Sequence, residues 1–155
     1  MKVEYAELSH FDSLISLARE VEDIFGPMAD EESFKEALKD AILQKVVFCI
    51  YSPEKGEGAP LQGGIIVSKE TNEIAWLVVS GKYQNVGMGK SLLAFAISEL
   101  DRRRDIFVQT FDESVLLGKP ARKLYLRSGF IDHEDGGLNP AGVPTVIMRL
   151  PKTEN

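Results

Sequence analysis

Cysteine and histidine are scarce in this sequence. Its 155 residues include one cysteine, Cys49, and two histidines, His10 and His133. A single thiol forms no internal disulfide, and no group of histidines, cysteines and carboxylates has the spacing of metal ligands, so we expect no bound metal. Cys49 lies in the apolar run 46–50, where we expect a small buried side chain and not a nucleophile.

Long apolar runs and an excess of positive charge are also missing. No run approaches the ~18 apolar residues of a membrane span, and residues 1–7 contain no apolar stretch typical of a signal peptide. The formal net charge is −6, because 18 lysines and arginines face 24 aspartates and glutamates. Binding to a nucleic-acid backbone needs the opposite balance. We therefore expect a cytoplasmic protein that binds neither membranes nor nucleic acids.

Length and composition are those of an ordinary globular domain. Hydrophobic residues make up 44% of the chain and charged residues 27%. A chain of this length buries roughly 70% of the surface that its unfolded state exposes, so it needs no disulfide or metal to fold. We expect a single domain over residues 1–155.

The first 45 residues have the apolar period of helices. Ser9 and Asp12 fit the capping-box pattern, and apolar residues then recur at helical spacing up to the stop signal at 26–27. Asp30 and Glu31 open a second helix. Its expected apolar face consists of Phe34, Ala37, Leu38, Ala41 and Ile42.

The rest of the chain alternates between strand and helix patterns. Short turn-rich connections join the first three strands, so we expect an antiparallel meander. The expected strands are 46–51, 64–68, 73–80, 106–111, 129–133 and 145–150; the expected helices are 87–103 and 121–127; and a loop is expected at 135–142. The predicted order is ααβββαβαββ, a mixed α+β domain on one central sheet.

A glycine-rich segment links the third strand to the long helix. A helix start has about four unpaired N–H groups and a positive dipole end, and glycines let an anion approach them closely. A dinucleotide-binding GxGxxG motif would need its third glycine at Leu92, and a P-loop would need its first glycine at Gln84. The pattern [QR]-x-x-G-x-[GA] fits completely, on Gln84, Gly87 and Gly89.

A second segment supports that third pattern. Residues 118–130 read GKPARKLYLRSGF and match A-x-x-[LF]-Y-x-[RK]-x-G-F. With both segments, the chain resembles the GNAT superfamily of acetyl-CoA-dependent N-acetyltransferases over nearly its whole length. The resemblance implies a central mixed, mostly antiparallel sheet with helices on both faces. It also implies that the third and fourth of the predicted strands run parallel and splay apart.

The same resemblance implies a cofactor site. The pyrophosphate of acetyl-CoA is expected on backbone N–H groups at the helix start, and the pantetheine arm on the backbone of the preceding strand. The implied cofactor-binding residues are Leu77, Val78, Val79, Gln84, Asn85, Val86, Gly87, Met88, Gly89, Lys90 and Ser91.

Acetyl transfer to an amine needs a base for the amine proton and is helped by an acid at the departing thiolate. The resemblance places Tyr125 next to that sulfur, as the candidate acid. Glu73, eleven residues before Gln84, corresponds to the catalytic glutamate of the histone-acetyltransferase branch and is the candidate base. Asp112, Glu113 or water remain alternatives as the base. Many family members have asparagine in the region of Asp112 and Glu113.

The resulting hypothesis is transfer of an acetyl group from acetyl-CoA to a primary amine of a small molecule or peptide, in a ternary complex. A degenerate module that senses acyl-CoA without turnover is the alternative. The first two helices, Trp76 and residues 135–144 would surround the acceptor, although Trp76 is expected mainly as a core residue and His133 as a structural one. The resemblance also favours a homodimer, and it names neither the acceptor nor a preference among acyl chains.

Overall fold

The computed structural model describes residues 2–51, 60–83 and 87–153. Strands and helices follow one another in this order: β1 Val3–Tyr5, α1 Phe11–Glu20, α2 Glu22–Phe25, α3 Glu32–Leu43, β2 Val47–Ile50, β3 Gly63–Ser68, β4 Glu73–Val79, α4 Met88–Glu99, β5 Ile106–Phe111, α5 Lys119–Arg127, β6 Ile131–Leu138 and β7 Pro144–Leu150. Short 3₁₀ turns occupy Leu8–His10, Gly81–Tyr83 and Leu116–Gly118.

Within the described residues, the strands form one seven-stranded sheet in the order β1-β2-β3-β4-β5-β7-β6. Every neighbouring pair is antiparallel except β4 and β5, which run parallel. The predicted meander of β2, β3 and β4 and the predicted mixed, mostly antiparallel sheet are therefore confirmed.

Helices cover both faces of this sheet. Side chains along a strand alternate between faces, and β2 follows that rule: Val47 and Cys49 join one apolar cluster, Phe48 and Ile50 the other. The first cluster packs under α1 and α3, and the second under α4 and α5. Cys49 is buried as expected, and burial raises the pKa of its thiol to about 12, so it is a packing residue.

The predicted order lacks the first strand. β1 spans three residues and pairs with β2 from Val3 to Tyr5, and the Tyr5 hydroxyl donates to the carboxylate of Glu99 at the end of α4. Three residues are too few to show a strand period, and the partners that fix this strand lie more than forty residues away in the chain.

The helix boundaries need three corrections. Ser9 and Asp12 do not cap α1; instead the backbone N–H of Glu7 donates to Nδ1 of His10 at 2.9 Å. The first helix is interrupted at Val21, whose backbone leaves the helical region. The long helix ends at Glu99 and not at 103, because Leu100 turns to an extended conformation and packs its side chain into the core.

The late hairpin also differs from the prediction. β6 continues to Leu138, so residues 135–138 are strand and not loop. Register shifts between Asp132 and Glu134 and between Asp135 and Gly137 accommodate the extra residues as bulges. The glycines of 136–137 therefore mark a bulged strand, and the turn is confined to the residues that follow Leu138.

Asn72 fixes the point at which β4 begins. Its backbone has a φ of 57°, and its side chain is buried. The amide nitrogen donates to the carbonyls of Asp101 and Asp105 at 2.9 Å, and the amide oxygen accepts from the N–H of Asp101 at 2.9 Å. The Asn72 carbonyl also accepts from Phe107 N–H at 3.2 Å. Asn72 thus ties the β3–β4 turn to the connection between α4 and β5.

Asn72→Ala is expected to lower the free energy of unfolding by about 3 kcal/mol, because it leaves buried polar groups without partners and places alanine at positive φ. Urea unfolding followed by circular dichroism measures the change. Asn72→Gly removes the same side chain but accepts the backbone angle, so it should cost less. A loss below about 1 kcal/mol for Asn72→Ala would show that the three hydrogen bonds are not important for stability.

Candidate active site

A gap opens between the two parallel strands. β4 and β5 pair only at Glu73 with Phe107 and at Ile74 with Val108. Beyond Ile74, no further pair joins these strands among the described residues, while β4 continues to pair with β3 as far as Val79. The early end of this pairing agrees with the expected splay, and the gap lies on the C-terminal side of the two pairs.

The segment 20–26 bridges the open end of this gap on the α1 face. Glu20 accepts hydrogen bonds from Ser80 Oγ and from the N–H of Gly81, both at 3.2 Å, just after β4. The Phe25 ring lies 5.1 Å from that of Phe111, which is the last residue of β5. One short segment therefore contacts the ends of both strands.

The β6–β7 turn meets the bridging segment 20–26. Asn139 Nδ2 donates to the carbonyl of Ile24 at 2.8 Å. Gly26 has a φ of 101°, and a Cβ there would lie 2.7 Å from Cβ of Pro140, so only glycine fits at this approach. From the sequence, the first helices and residues 135–144 are expected to lie around one acceptor site, and these contacts bring the two elements together.

The helix start at the end of β4 has the features of an anion site. Gly87 is exposed, has a φ of 84° and directly precedes α4. The first N–H groups of a helix have no partner inside it. The N–H of Ser91 bonds the Gly87 carbonyl at 3.1 Å. Met88 is buried and Lys90 is exposed. Gln84, Asn85 and Val86 lie outside the described residues.

Gly89 brings β4, α4 and α5 into contact. A Cβ at this position would lie 3.2 Å from Cδ2 of Leu124 and 3.8 Å from Cγ2 of Val79. Leu77 and Val79 are partly buried against the α4 and α5 cluster, and Val78 is buried on the opposite face. The expected pantetheine-binding residues thus lie beside the expected pyrophosphate site.

Tyr125 is a buried residue of α5. It is 4% exposed, and its ring packs edge-on against Phe130 at 5.5 Å. Burial raises the pKa of its phenol, so the hydroxyl keeps its proton at neutral pH. No hydrogen bond of this hydroxyl is found within the described parts of the chain.

Glu73 lies at the closed end of the gap, in the first β4–β5 pair. Its side chain is half-buried, and its carboxylate accepts a hydrogen bond from Thr71 Oγ1 at 2.9 Å. Leu77 is four residues further along β4, roughly 13 Å at the rise of a strand. A base at Glu73 therefore lies some distance from the middle of the gap.

The two reserve bases lie just past β5. The Ser114 backbone N–H bonds Asp112 at 3.0 Å and, with the nearby charge of Arg122, lowers the pKa of that carboxyl. A carboxylate with a lowered pKa is a weaker base. Glu113 is exposed.

Each of the two histidines and Trp76 lies near an aromatic ring of a neighbouring element. His10 accepts the Glu7 N–H and lies 5.6 Å from the Tyr51 ring. His133 is exposed at a bulge of β6, 5.6 Å from the Phe107 ring. Trp76 packs towards Phe34 at 6.4 Å, and its buried Nε1 has no partner among the described residues.

A cavity of about 340 Å³ adjoins the end of β4 on the α1 side. Its lining consists of Asp12, Ser13, Ser16, Leu17, Glu20, Pro60, Leu61, Ser80, Lys82 and Tyr83. No group of three or more histidine, cysteine or acidic residues able to hold a metal is found in the described ranges. In the same ranges, no helix is long and apolar enough to cross a membrane.

Two residues with contacts near this site, Glu20 and Arg122, were not predicted from the sequence. Glu20 lies in no motif, and Arg122 falls on a variable position of the second motif. Their partners lie 60 and 10 residues away in the chain, so no local pattern marks either contact.

Comparison with known proteins gives one family. The model of the acetyltransferase (GNAT) domain matches residues 16–152. A search of curated proteins found no match.

Solved structures of acetyltransferases share the fold at low sequence identity. A GNAT acetyltransferase of Bacillus cereus has a TM-score of 0.72 and 18% identity, covering 99% of this chain and 98% of its own. The PaiA N-acetyltransferase of Thermoplasma acidophilum, in complex with coenzyme A, has a TM-score of 0.71 and 16% identity, covering 98% of both chains. The ribosomal-protein-S18-alanine N-acetyltransferase of Escherichia coli has a TM-score of 0.69 and 18% identity, covering 99% of this chain and 95% of its own.

Proposed function

This chain belongs to the GNAT acetyltransferase family, and we propose that it moves an acetyl group from acetyl-CoA to a primary amine of a small molecule or peptide. The amine attacks the thioester carbonyl directly, in a ternary complex. The observation that carries this proposal is the gap between β4 and β5, which opens beyond Ile74 and whose β4 side ends at Val79, next to Gly89 in the first turn of α4.

The helix start suits the pyrophosphate of acetyl-CoA. Two negative charges are favoured at the positive end of the helix dipole, and the N–H groups of 87–90 are the proposed donors. Gly87 leaves open space around its backbone. Gln84, Asn85 and Val86 complete the proposed binding segment.

The gap suits the pantetheine arm. A linear chain with amide groups can pair with the backbone of Leu77, Val78 and Val79 as a further strand would, because β5 has turned away from them. Tyr125 approaches from α5, whose Leu124 lies against Gly89. In this proposal the thioester lies in the gap beside Tyr125, and the pyrophosphate lies at the start of α4.

In the proposed reaction, Tyr125 gives a proton to the departing thiolate, and Glu73 accepts the proton of the attacking amine. The position of Glu73 at the closed end of the gap favours transfer through an ordered water. The lowered pKa of Asp112 makes that carboxylate the less suitable base.

The acceptor approaches from the α1 face, beside the bridging segment 20–26 and the β6–β7 turn that packs on it. Peptide amines are a reasonable class to test, since the Escherichia coli neighbour is a ribosomal-protein-S18-alanine N-acetyltransferase. The lining of the cavity beside β4 includes the acidic Asp12 and Glu20 and one cation, Lys82, and its net negative charge favours a cationic acceptor.

A calorimetric titration with acetyl-CoA and, separately, with ATP tests the cofactor site. We expect acetyl-CoA to bind and ATP to compete weakly at most. Tight binding of ATP alone would support a nucleotide-binding loop of the P-loop kind and contradict the proposal.

Gly89→Leu is expected to weaken acetyl-CoA binding by at least about tenfold, or ~1.4 kcal/mol. A side chain there must push against Leu124 and Val79 and crowds the N–H groups of the helix start. Gly89→Ala is the matched control, since one methyl group needs only a small shift of the flexible Leu124 side chain. Unchanged affinity for acetyl-CoA in a folded Gly89→Leu variant would contradict the proposed position of the pyrophosphate.

A further inference from the structure

The helix that carries Tyr125 is short and is held at its start by a tight contact. α5 has nine residues. A Cβ at Gly118, the residue before it, would lie 2.3 Å from Cβ of Phe111. Only glycine allows this approach, which places the first turn of α5 directly against the end of β5.

A two-point ion pair holds the middle of the same helix. Arg122 Nη1 donates to Asp132 Oδ1 at 2.8 Å, and Nη2 donates to Oδ2 at 2.7 Å. Two parallel bonds between planar groups fix orientation as well as distance. The partner, Asp132, lies on the edge strand β6, so the pair joins α5 to the sheet on the side away from β4.

The environment of the pair differs at its two ends. The Arg122 side chain is 12% exposed and that of Asp132 52% exposed. Asp112 and Glu113 also lie close enough to favour the charge on Arg122. Arg122 is therefore the cation at the junction of β5, α5 and β6.

Arg122 precedes Tyr125 by three residues, which is about one turn of a helix. We propose that the Arg122–Asp132 pair is a positioning element of the reaction, which fixes the rotation of α5 and so sets the Tyr125 hydroxyl against the thioester sulfur. The proposal rests on the acid role of Tyr125 given above. Arg122 acts through Tyr125 and touches no substrate.

The exposure of Asp132 separates this role from a purely structural one. When Arg122 is lost, the half-exposed carboxylate regains water, so the stability cost stays well below that of a broken buried pair. Positioning is more sensitive, because a shift of about 1 Å at a reacting group can cost ~10²-fold in rate. We therefore expect loss of Arg122 to lower the reaction rate more than it lowers the stability of the fold.

The test is a double-mutant cycle. Arg122→Met and Asp132→Asn are made in the parent protein and in the Tyr125→Phe variant, and each is measured for kcat, acetyl-CoA affinity and thermal midpoint. Arg127→Met is the matched control, since Arg127 is an exposed guanidinium on the same helix and forms no ion pair among the described residues.

We expect Arg122→Met and Asp132→Asn each to lower kcat by about tenfold in the parent, with acetyl-CoA affinity unchanged. In the Tyr125→Phe background, neither should lower kcat further, because the hydroxyl they position is already gone. Arg127→Met should have no effect on kcat in either background.

Two results would overturn the inference, and they differ. In the first, Tyr125→Phe is slow, but Arg122→Met and Asp132→Asn lower kcat equally in both backgrounds or in neither. That result would reject the positioning role and leave the acid role intact. A normal rate for Tyr125→Phe would reject the acid role and the positioning role together.

Discussion

Tyr125→Phe is expected to lower kcat by about 10²–10⁴-fold while acetyl-CoA affinity changes little. The substitution keeps the ring that packs on Phe130 and removes only the hydroxyl. Because burial raises the pKa of this phenol, the hydroxyl is protonated over the working range and can donate to the departing thiolate. Loss of an interaction made only in the transition state lowers kcat and kcat/KM together.

The measurement compares rates at saturating acetyl-CoA and amine with the thermal midpoint of each variant. Tyr5→Phe is the control, since it makes the same chemical change at a hydroxyl that bonds Glu99 at the far edge of the sheet. If product release limits kcat, the first turnover after rapid mixing reports the chemical step. A parental rate in that first turnover would reduce Tyr125 to a packing residue.

Glu73→Gln is expected to lower the rate at neutral pH by about 10²-fold and to flatten the acidic limb of the pH–rate profile. The amide keeps the size of the side chain and a partner for Thr71 Oγ1, but it cannot accept the proton of the amine. Acetyl-CoA affinity should stay nearly the same, since the side chain lies at the closed end of the gap.

The control is Glu70→Gln, which removes an exposed carboxylate from the preceding turn and should leave the profile unchanged. If Glu73→Gln retains the parental profile, the base is another group, and Asp112, Glu113 and the ionisation of the acceptor are then the candidates. Combining Glu73→Gln with Asp112→Asn, and separately with Glu113→Gln, would show whether either carboxylate is the base; an unchanged profile in both would leave the ionisation of the acceptor.

The fold was largely predictable because its strongest signals are local. The glycine-rich segment at 84–89 and the tyrosine segment at 118–130 each join one strand and one helix, and the meander has short turns. β1 was missed because three residues carry no period, and its partner strand lies far along the chain. β6 was cut short because 136–137 are glycines, which suit a turn and a bulge equally well.

The candidate site was predictable only in part. Tyr125, Gly87 and Gly89 stand in recognisable motifs. Tyr125 joins the apolar cluster of α4 against which Val79 packs, and Gly89 lies next to Val79 and Leu124. Glu20 and Arg122 were not predicted, because each contacts a partner that comes close only in the folded sheet and that no local sequence pattern indicates. Asn72 looked like an ordinary turn residue, and its buried hydrogen bonds become visible only when β4 and β5 lie side by side.

The most direct test of the account is an acceptor screen in which release of the CoA thiol and the mass of the acceptor are followed together. Acetyl-CoA is offered with polyamines, amino acids, aminoglycosides and short peptides, each beside a reaction without protein and one with Tyr125→Phe. We expect at least one amine class to give thiol release matched by an N-acetylated product, and we expect Tyr125→Phe to abolish nearly all of both. Acetyl-CoA binding without amine-dependent thiol release in any class would contradict the account and favour an acyl-CoA sensor.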